Sequence, residues 1–142
     1  MGNREDMLEG LRQQLGYDSI QWKLWKKNPK NLKTAEALAK CQEFRIVAEV
    51  TQSQNCGVGH KVGDKFIFTG DGCFVTKEPP GPVCLSALAP LIPMLNTVVP
   101  DNIMAGIDPQ SPPLWDTIHC NDVGVENGGW GEIIMKIWIE KI

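Results

Sequence analysis

The sequence has little of several things. One tyrosine and two histidines occur in 142 residues, so histidine-rich metal sites are excluded. No apolar run approaches the ~18 residues that a membrane span needs. Positive charge is not in excess: 14 basic against 17 acidic side chains give a net charge of −3, which is no electrostatic footprint for nucleic acid. Familiar catalytic signatures are missing too. The chain contains no phosphate loop ending in Gly-Lys-Ser/Thr, no dinucleotide-binding glycine fingerprint after a strand, no Gly-x-Ser-x-Gly elbow and no His-Glu-x-x-His pair. With 42% apolar and 22% charged residues, the composition is that of a globular domain rather than a disordered segment.

What the chain does have is cysteine, five in all. Residues Met1 to Asp6 carry no hydrophobic stretch, so no secretory signal is expected and a cytoplasmic location follows. Thiols stay reduced there, and in such a chain cysteines act as packing residues, metal ligands or nucleophiles.

Charge is uneven. Residues 1–50 hold nine basic and seven acidic side chains, whereas 51–142 hold five and ten. The basic excess lies in Lys23, Lys26, Lys27, Lys30 and Lys33, interleaved with Trp22 and Trp25. A solvated helix face with docked tryptophans explains that pattern more simply than a nucleic-acid or membrane partner.

Helical spacing opens the chain. Asn3 can cap a helix through Met7, Leu8, Leu11 and Leu15 that stops at Gly16. Asp18 or Ser19 can cap a second, ending at Asn28-Pro29. A third fits Leu32 to Lys40. From Glu43 the pattern becomes that of strands: Phe44 to Val50, Lys65 to Thr69, Cys73 to Thr76, Thr117 to Cys120 and Glu132 to Glu140. Leu85 to Leu95 reads as a helix kinked or broken at Pro90 and Pro93. Val99 to Pro113 reads as a proline-rich loop, long enough for a lid or subunit contact. The expected fold is α+β: a small, mostly antiparallel sheet or open barrel with one crossing helix. A helical N-terminal cap over 1–42 precedes a Cys/His core domain over 43–142.

The most unusual stretch is Cys56-Gly57-Val58-Gly59-His60-Lys61-Val62-Gly63-Asp64. It sets a thiol and an imidazole four residues apart in a glycine-rich loop. Cys84 stands where the next helix should begin, a position that favours thiolate. Cys120 ends a short strand ahead of Asn121-Asp122. Cys56, His60, Cys84 and Cys120 together would make a Cys3His set suited to zinc or an iron–sulfur cluster. A metal-free alternative uses Cys84 as nucleophile and His60 as its base, with Asp64 or Asp122 orienting the imidazole. The plain alternative is that these cysteines are buried packing residues. Cys41 and Cys73 are read as packing, and His119 as an ordinary polar residue facing away from Cys120. Trp115, Trp130 and the loop around Met104 are candidate pocket walls.

The ordered motifs Cys56, His60, Gly63-Asp64, Phe66, Cys84 and Cys120-Asn121-Asp122 resemble an uncharacterised family of small cysteine-containing bacterial proteins common in anaerobes. The resemblance covers about residues 44–142. Leu15-Gly16-Tyr17, Asp122 to Val125 and Gly128 to Gly131 resemble a longer subgroup with an N-terminal extension. In those relatives a cysteine is expected where Asn127 stands. The resemblance implies that Cys56, His60, Cys84 and Cys120 are family positions and that Cys41 and Cys73 are not; it implies no particular reaction. The expected function is a metal-binding protein, either a small enzyme of lyase or hydratase type or an enzyme subunit. It would take a small-molecule ligand and form a homo-oligomer. A metal-free thiol enzyme and a non-enzymatic oligomeric accessory subunit are the alternatives.

Overall fold

A computed structural model describes residues 3–108 and 116–142 of the chain. Within it the chain forms two compact units, 1–39 and 40–142.

The first unit is three helices whose ends are written in the sequence. Helix α1 (Arg4–Leu15) starts at Asn3, whose side chain accepts the Glu5 N–H while Asp6 reaches back to the Asn3 N–H. This reciprocal arrangement satisfies otherwise orphaned donors, and Gly16 closes the helix. Helix α2 (Ser19–Lys26) repeats the device with Asp18 and Gln21. Helix α3 (Pro29–Leu38) begins three residues before the expected Leu32. Asn28 caps it and Pro29 occupies the first turn, where a missing N–H costs nothing. Trp22 and Trp25 stack at 4.9 Å, with the Lys26 ammonium 5.5 Å from the Trp22 ring. An ion pair joins Arg4 to Glu36.

The second unit is α+β, as expected. Its five strands are β1 (Phe44–Gln54), β2 (Lys65–Thr69), β3 (Phe74–Glu78), β4 (Thr117–His119) and β5 (Glu132–Lys141). They form one open sheet of order β3-β2-β1-β5-β4, with every neighbour antiparallel. Strand β1 is central, and Ile46, Val47, Ala48 and Val50 are all buried. Burial of successive residues requires cover on both faces. Ile133, Met135 and Ile137 supply the buried side of β5. The β1–β5 register slips between Val50 and Gln52.

One helical stretch crosses this unit and is longer than the sequence suggested. Helix α4 (Leu85–Leu88) runs into a 3-10 turn (Ala89–Leu91), then a π-helical turn (Met94–Val98), then α5 (Val99–Met104). The prolines change its pitch rather than ending it. Each removes one N–H, and Pro100 stands in the first turn of α5, where that N–H has no helical partner. The expected loop is therefore helix from Val99 to Met104. Leu91, Leu95, Val99 and Ile103 recur every fourth residue and are all buried. The stretch is tied along its length. Asn121 donates its N–H to Ser86 O, Gly72 abuts the Leu95 carbonyl so closely that a Cβ would overlap it, and Cys41 Sγ lies 4.0 Å from Pro100 O. Pro109 to Pro113, the rest of the expected loop, lie outside the described residues.

Candidate functional site

Three loops bring the site together. The Cys56–His60 loop follows β1, the Pro79–Cys84 segment leads from β3 into α4, and the Cys120–Gly131 loop joins β4 to β5. Cys56, His60, Cys84, Cys120 and Asp122 all line one cavity of about 380 Å³. Its remaining wall includes Val58, Ala87, Trp130, Glu132 and Ile133. Of the other expected walls, Met104 does not line it, and Trp115 lies outside the described residues.

His60 is 2% exposed and meets Phe66 edge-on at 5.2 Å. Its Nε2 accepts the Cys84 backbone N–H at 3.2 Å. An accepting Nε2 carries no proton, so the proton of the neutral ring sits on Nδ1. Nδ1 is buried without a hydrogen-bond partner among the described residues and faces Asp64 Oδ2 at 3.8 Å. Burial pushes His60 below the ordinary imidazole value; the Lys77 ammonium adds to this and Asp64 opposes it. The imidazole thus holds the backbone of Cys84, and its Nε2 lone pair is not free for the Cys84 thiol.

Asp64 is 3.8 Å from the imidazole, as an orienting group would be, but it has a second partner that the sequence did not single out. Lys77 Nζ lies 3.3 Å from Asp64 Oδ2, with both side chains buried. Asp64 also accepts the Lys61 N–H at 3.1 Å. Desolvated charges persist only when paired in this way.

Asp122 has a different task from the one expected. Its carboxylate accepts N–H groups from Gly124, Trp130 and Gly131, each at 3.0 Å. The bonds from Gly131, Gly124 and Trp130 hold it below the usual carboxylate range. It clamps a turn and makes no hydrogen bond to His60. The turn tolerates no larger residue: a Cβ on Gly129 would overlap Asp122, and one on Gly131 would overlap the Asn55 carbonyl.

Cys120 Sγ accepts the Ile133 N–H at 3.3 Å and lies 3.6 Å from Asp122 O. Cys84 caps the four-residue α4 through its carbonyl, and its side chain makes no cap bond. All five cysteines are free thiols. Cys41 is fully buried, as a packing residue should be, and its burial raises the thiol with help from Asp71. Cys73 differs from the expectation. It is exposed in the β2–β3 turn.

His119 does not line the cavity, yet it is more than a plain polar position. Nδ1 lies 2.6 Å from Cys120 O and Nε2 lies 2.8 Å from Glu132 Oε2. The Cys120 carbonyl and then Glu132 raise its proton affinity above the ordinary value. Glu132 does line the cavity. Neither this pair nor Lys77 had a sequence signal beyond residue type, since the sheet creates both contacts.

No group of three or more His, Cys, Asp or Glu side chains is disposed to hold a metal ion among the described residues. No helix among them is long and apolar enough to cross a membrane. Comparison with protein-family models, curated proteins and solved structures finds no match.

Proposed function

We propose that the cavity is a thiolate site for a soft metal centre, with Cys56, Cys84 and Cys120 as its ligands. The observation that carries this reading is that three cysteines, from three loops far apart in sequence, are among the residues lining the same cavity. Thiolate donors select zinc, copper(I) or iron–sulfur clusters over hard cations. A cavity of about 380 Å³ exceeds what one ion fills, which favours an iron–sulfur cluster over mononuclear zinc. His60 is then a positioning residue for Cys84 rather than a fourth ligand. Held by Cys56, Cys84 and Cys120, such a centre would supply a Lewis acid for lysis or hydration of a small molecule.

Free thiols at all five cysteines suit a reducing compartment, so the proposal places the protein in the cytoplasm. It includes a homo-oligomer, supported by the exposed Phe74, Val75, Leu85 and Ile92 of the second unit, and no nucleic-acid partner.

Metal, sulfide and visible absorbance measured after oxygen-free purification test the reading. Iron with sulfide and a brown colour are expected. They should be lost on replacing Cys56, Cys84 or Cys120 by Ser and retained on replacing the exposed Cys73. Less than about a tenth of an equivalent of any metal per chain overturns it.

A metal-free thiol enzyme centred on Cys84 is favoured by one observation, the lack of a ready metal-binding group among the described residues. It requires one cysteine to be alkylated far faster than the others near neutral pH. Slow, uniform labelling of a metal-free protein that elutes as an oligomer would leave only the accessory-subunit reading, and a monomer that co-purifies with nothing would remove that one too.

A further inference from the structure

The same cavity has a second feature. Among the described residues, its lining contains no Lys or Arg. Lys77, which flanks His60 through Asp64, is buried against that carboxylate. His60 turns Nε2 to the Cys84 N–H, and the Glu132 carboxylate is shared with His119. A carboxylate, sulfonate or phosphate entering here would meet thiols and carboxylates, with no cationic side chain on the wall to offset their repulsion.

At the rim stands Trp130, 87% exposed. Its exposure does not arise from a loose loop. The turn is gripped by Asp122 through the backbone N–H groups of Gly124, Trp130 and Gly131, and Gly131 lies against the Asn55 carbonyl. The indole contributes to none of these bonds. A turn clamped by Asp122 thus carries an exposed indole among the residues of a cavity whose lining, among the described residues, has no Lys or Arg. An indole attracts cations and planar apolar groups to its face and gives nothing there to anions.

We infer that the small molecule admitted beside the thiols is neutral or cationic, and that it places a planar or quaternary ammonium group against Trp130. This rests on the cavity of the proposed function, but not on the identity of any metal in it.

The test uses three methanethiosulfonate reagents, carrying trimethylammonium-ethyl, benzyl or sulfonatoethyl groups. The full chain is purified with chelator so that its thiols are free. Each reagent forms a mixed disulfide with a cysteine thiolate and releases methanesulfinate. Peptide mass spectrometry gives the rates at Cys56, Cys84 and Cys120, each divided by the rate at the exposed Cys73. That ratio should be about tenfold larger for the ammonium and benzyl reagents than for the sulfonate. The preference should fall at least about threefold in Trp130→Ala and survive in Trp130→Phe. Circular dichroism of both variants should match the parent, because backbone bonds hold the turn. A preference below about threefold overturns the inference, as does one that Trp130→Ala leaves intact. Labelling of Cys73 alone also overturns it, since the cavity would then admit none of the three. Metal content is measured separately, so a metal-free protein refutes the proposed centre without touching this result.

Discussion

The imidazole of His60 holds the backbone of Cys84, not its sulfur: Nε2 accepts the Cys84 N–H at 3.2 Å. Since His60 is itself buried, this one bond anchors the entry to α4 to the centre of the sheet unit. Replacing the ring by a methyl group should both open a void and orphan the Cys84 N–H. His60→Ala should cost about 2–4 kcal/mol by urea unfolding, and His60→Gln, which keeps an acceptor, should cost less. Equal losses in the two variants would contradict the anchoring role.

The same residue sets a pH dependence. Its folded-state proton affinity is lowered, first by burial and then by Lys77. The unfolded chain, with an ordinary imidazole pKa of about 6.5, therefore binds the proton more readily. His60's contribution is complete above that value and is lost as pH falls through it toward the lower folded-state value. Stability of the parent minus that of His60→Gln should thus decline below about pH 6.5. A difference that is flat from neutral pH down through that range would refute the assignment.

Lys77 and Asp64 form a buried pair at 3.3 Å. Removing one member strands the other, so Lys77→Met alone should cost about 3–5 kcal/mol. Lys77→Met with Asp64→Asn should cost less than the two single losses added, with a coupling of about 1–3 kcal/mol in a double-mutant cycle. Simple additivity would mean that the pair is not a unit.

Gly131 lies where a Cβ would meet the Asn55 carbonyl. Gly131→Ala should destabilise by about 1–3 kcal/mol and loosen the Trp130 turn. Asp122→Ala should leave global stability less affected but speed amide exchange at Gly124, Trp130 and Gly131. Unchanged exchange at those three amides would show that the clamp does not hold in solution.

Much of the fold was legible, for reasons that differ between elements. Asn3, Asp18 and Gly16 mark helix ends because orphaned N–H and C=O groups need those residue types. Strands β2 and β5 show as runs of β-branched and aromatic residues between turns. Leu85 to Leu95 is helical as its spacing predicts, whereas Val99 to Met104 reads as loop because Pro100 and the prolines after it suggest a break. The four-residue recurrence of Leu91, Leu95, Val99 and Ile103, all buried, is the stronger signal there. At the site, chemistry alone nominated Cys56, His60, Cys84 and Cys120, and all four line one cavity. What each does there was not legible. That His60 bonds a backbone N–H, that Asp122 clamps a turn and that Lys77 is buried all depend on sheet register, which no spacing along the chain encodes.

The position of β5 has a consequence for biosynthesis. It follows every other strand in the sequence, yet it pairs with the central β1 along nearly its whole length and carries Glu132 and Ile133 into the cavity wall. The Ile133 N–H that meets Cys120 Sγ belongs to it as well. While a ribosome is still short of that strand, the Cys120 loop lacks the strand that pairs β4 to the rest of the sheet. Pairings this distant in sequence form late and slowly. The cavity wall is therefore complete only once β5 has been made and has paired with β1, and a translation arrest before Glu132 would release a polypeptide that carries all five cysteines but lacks that wall.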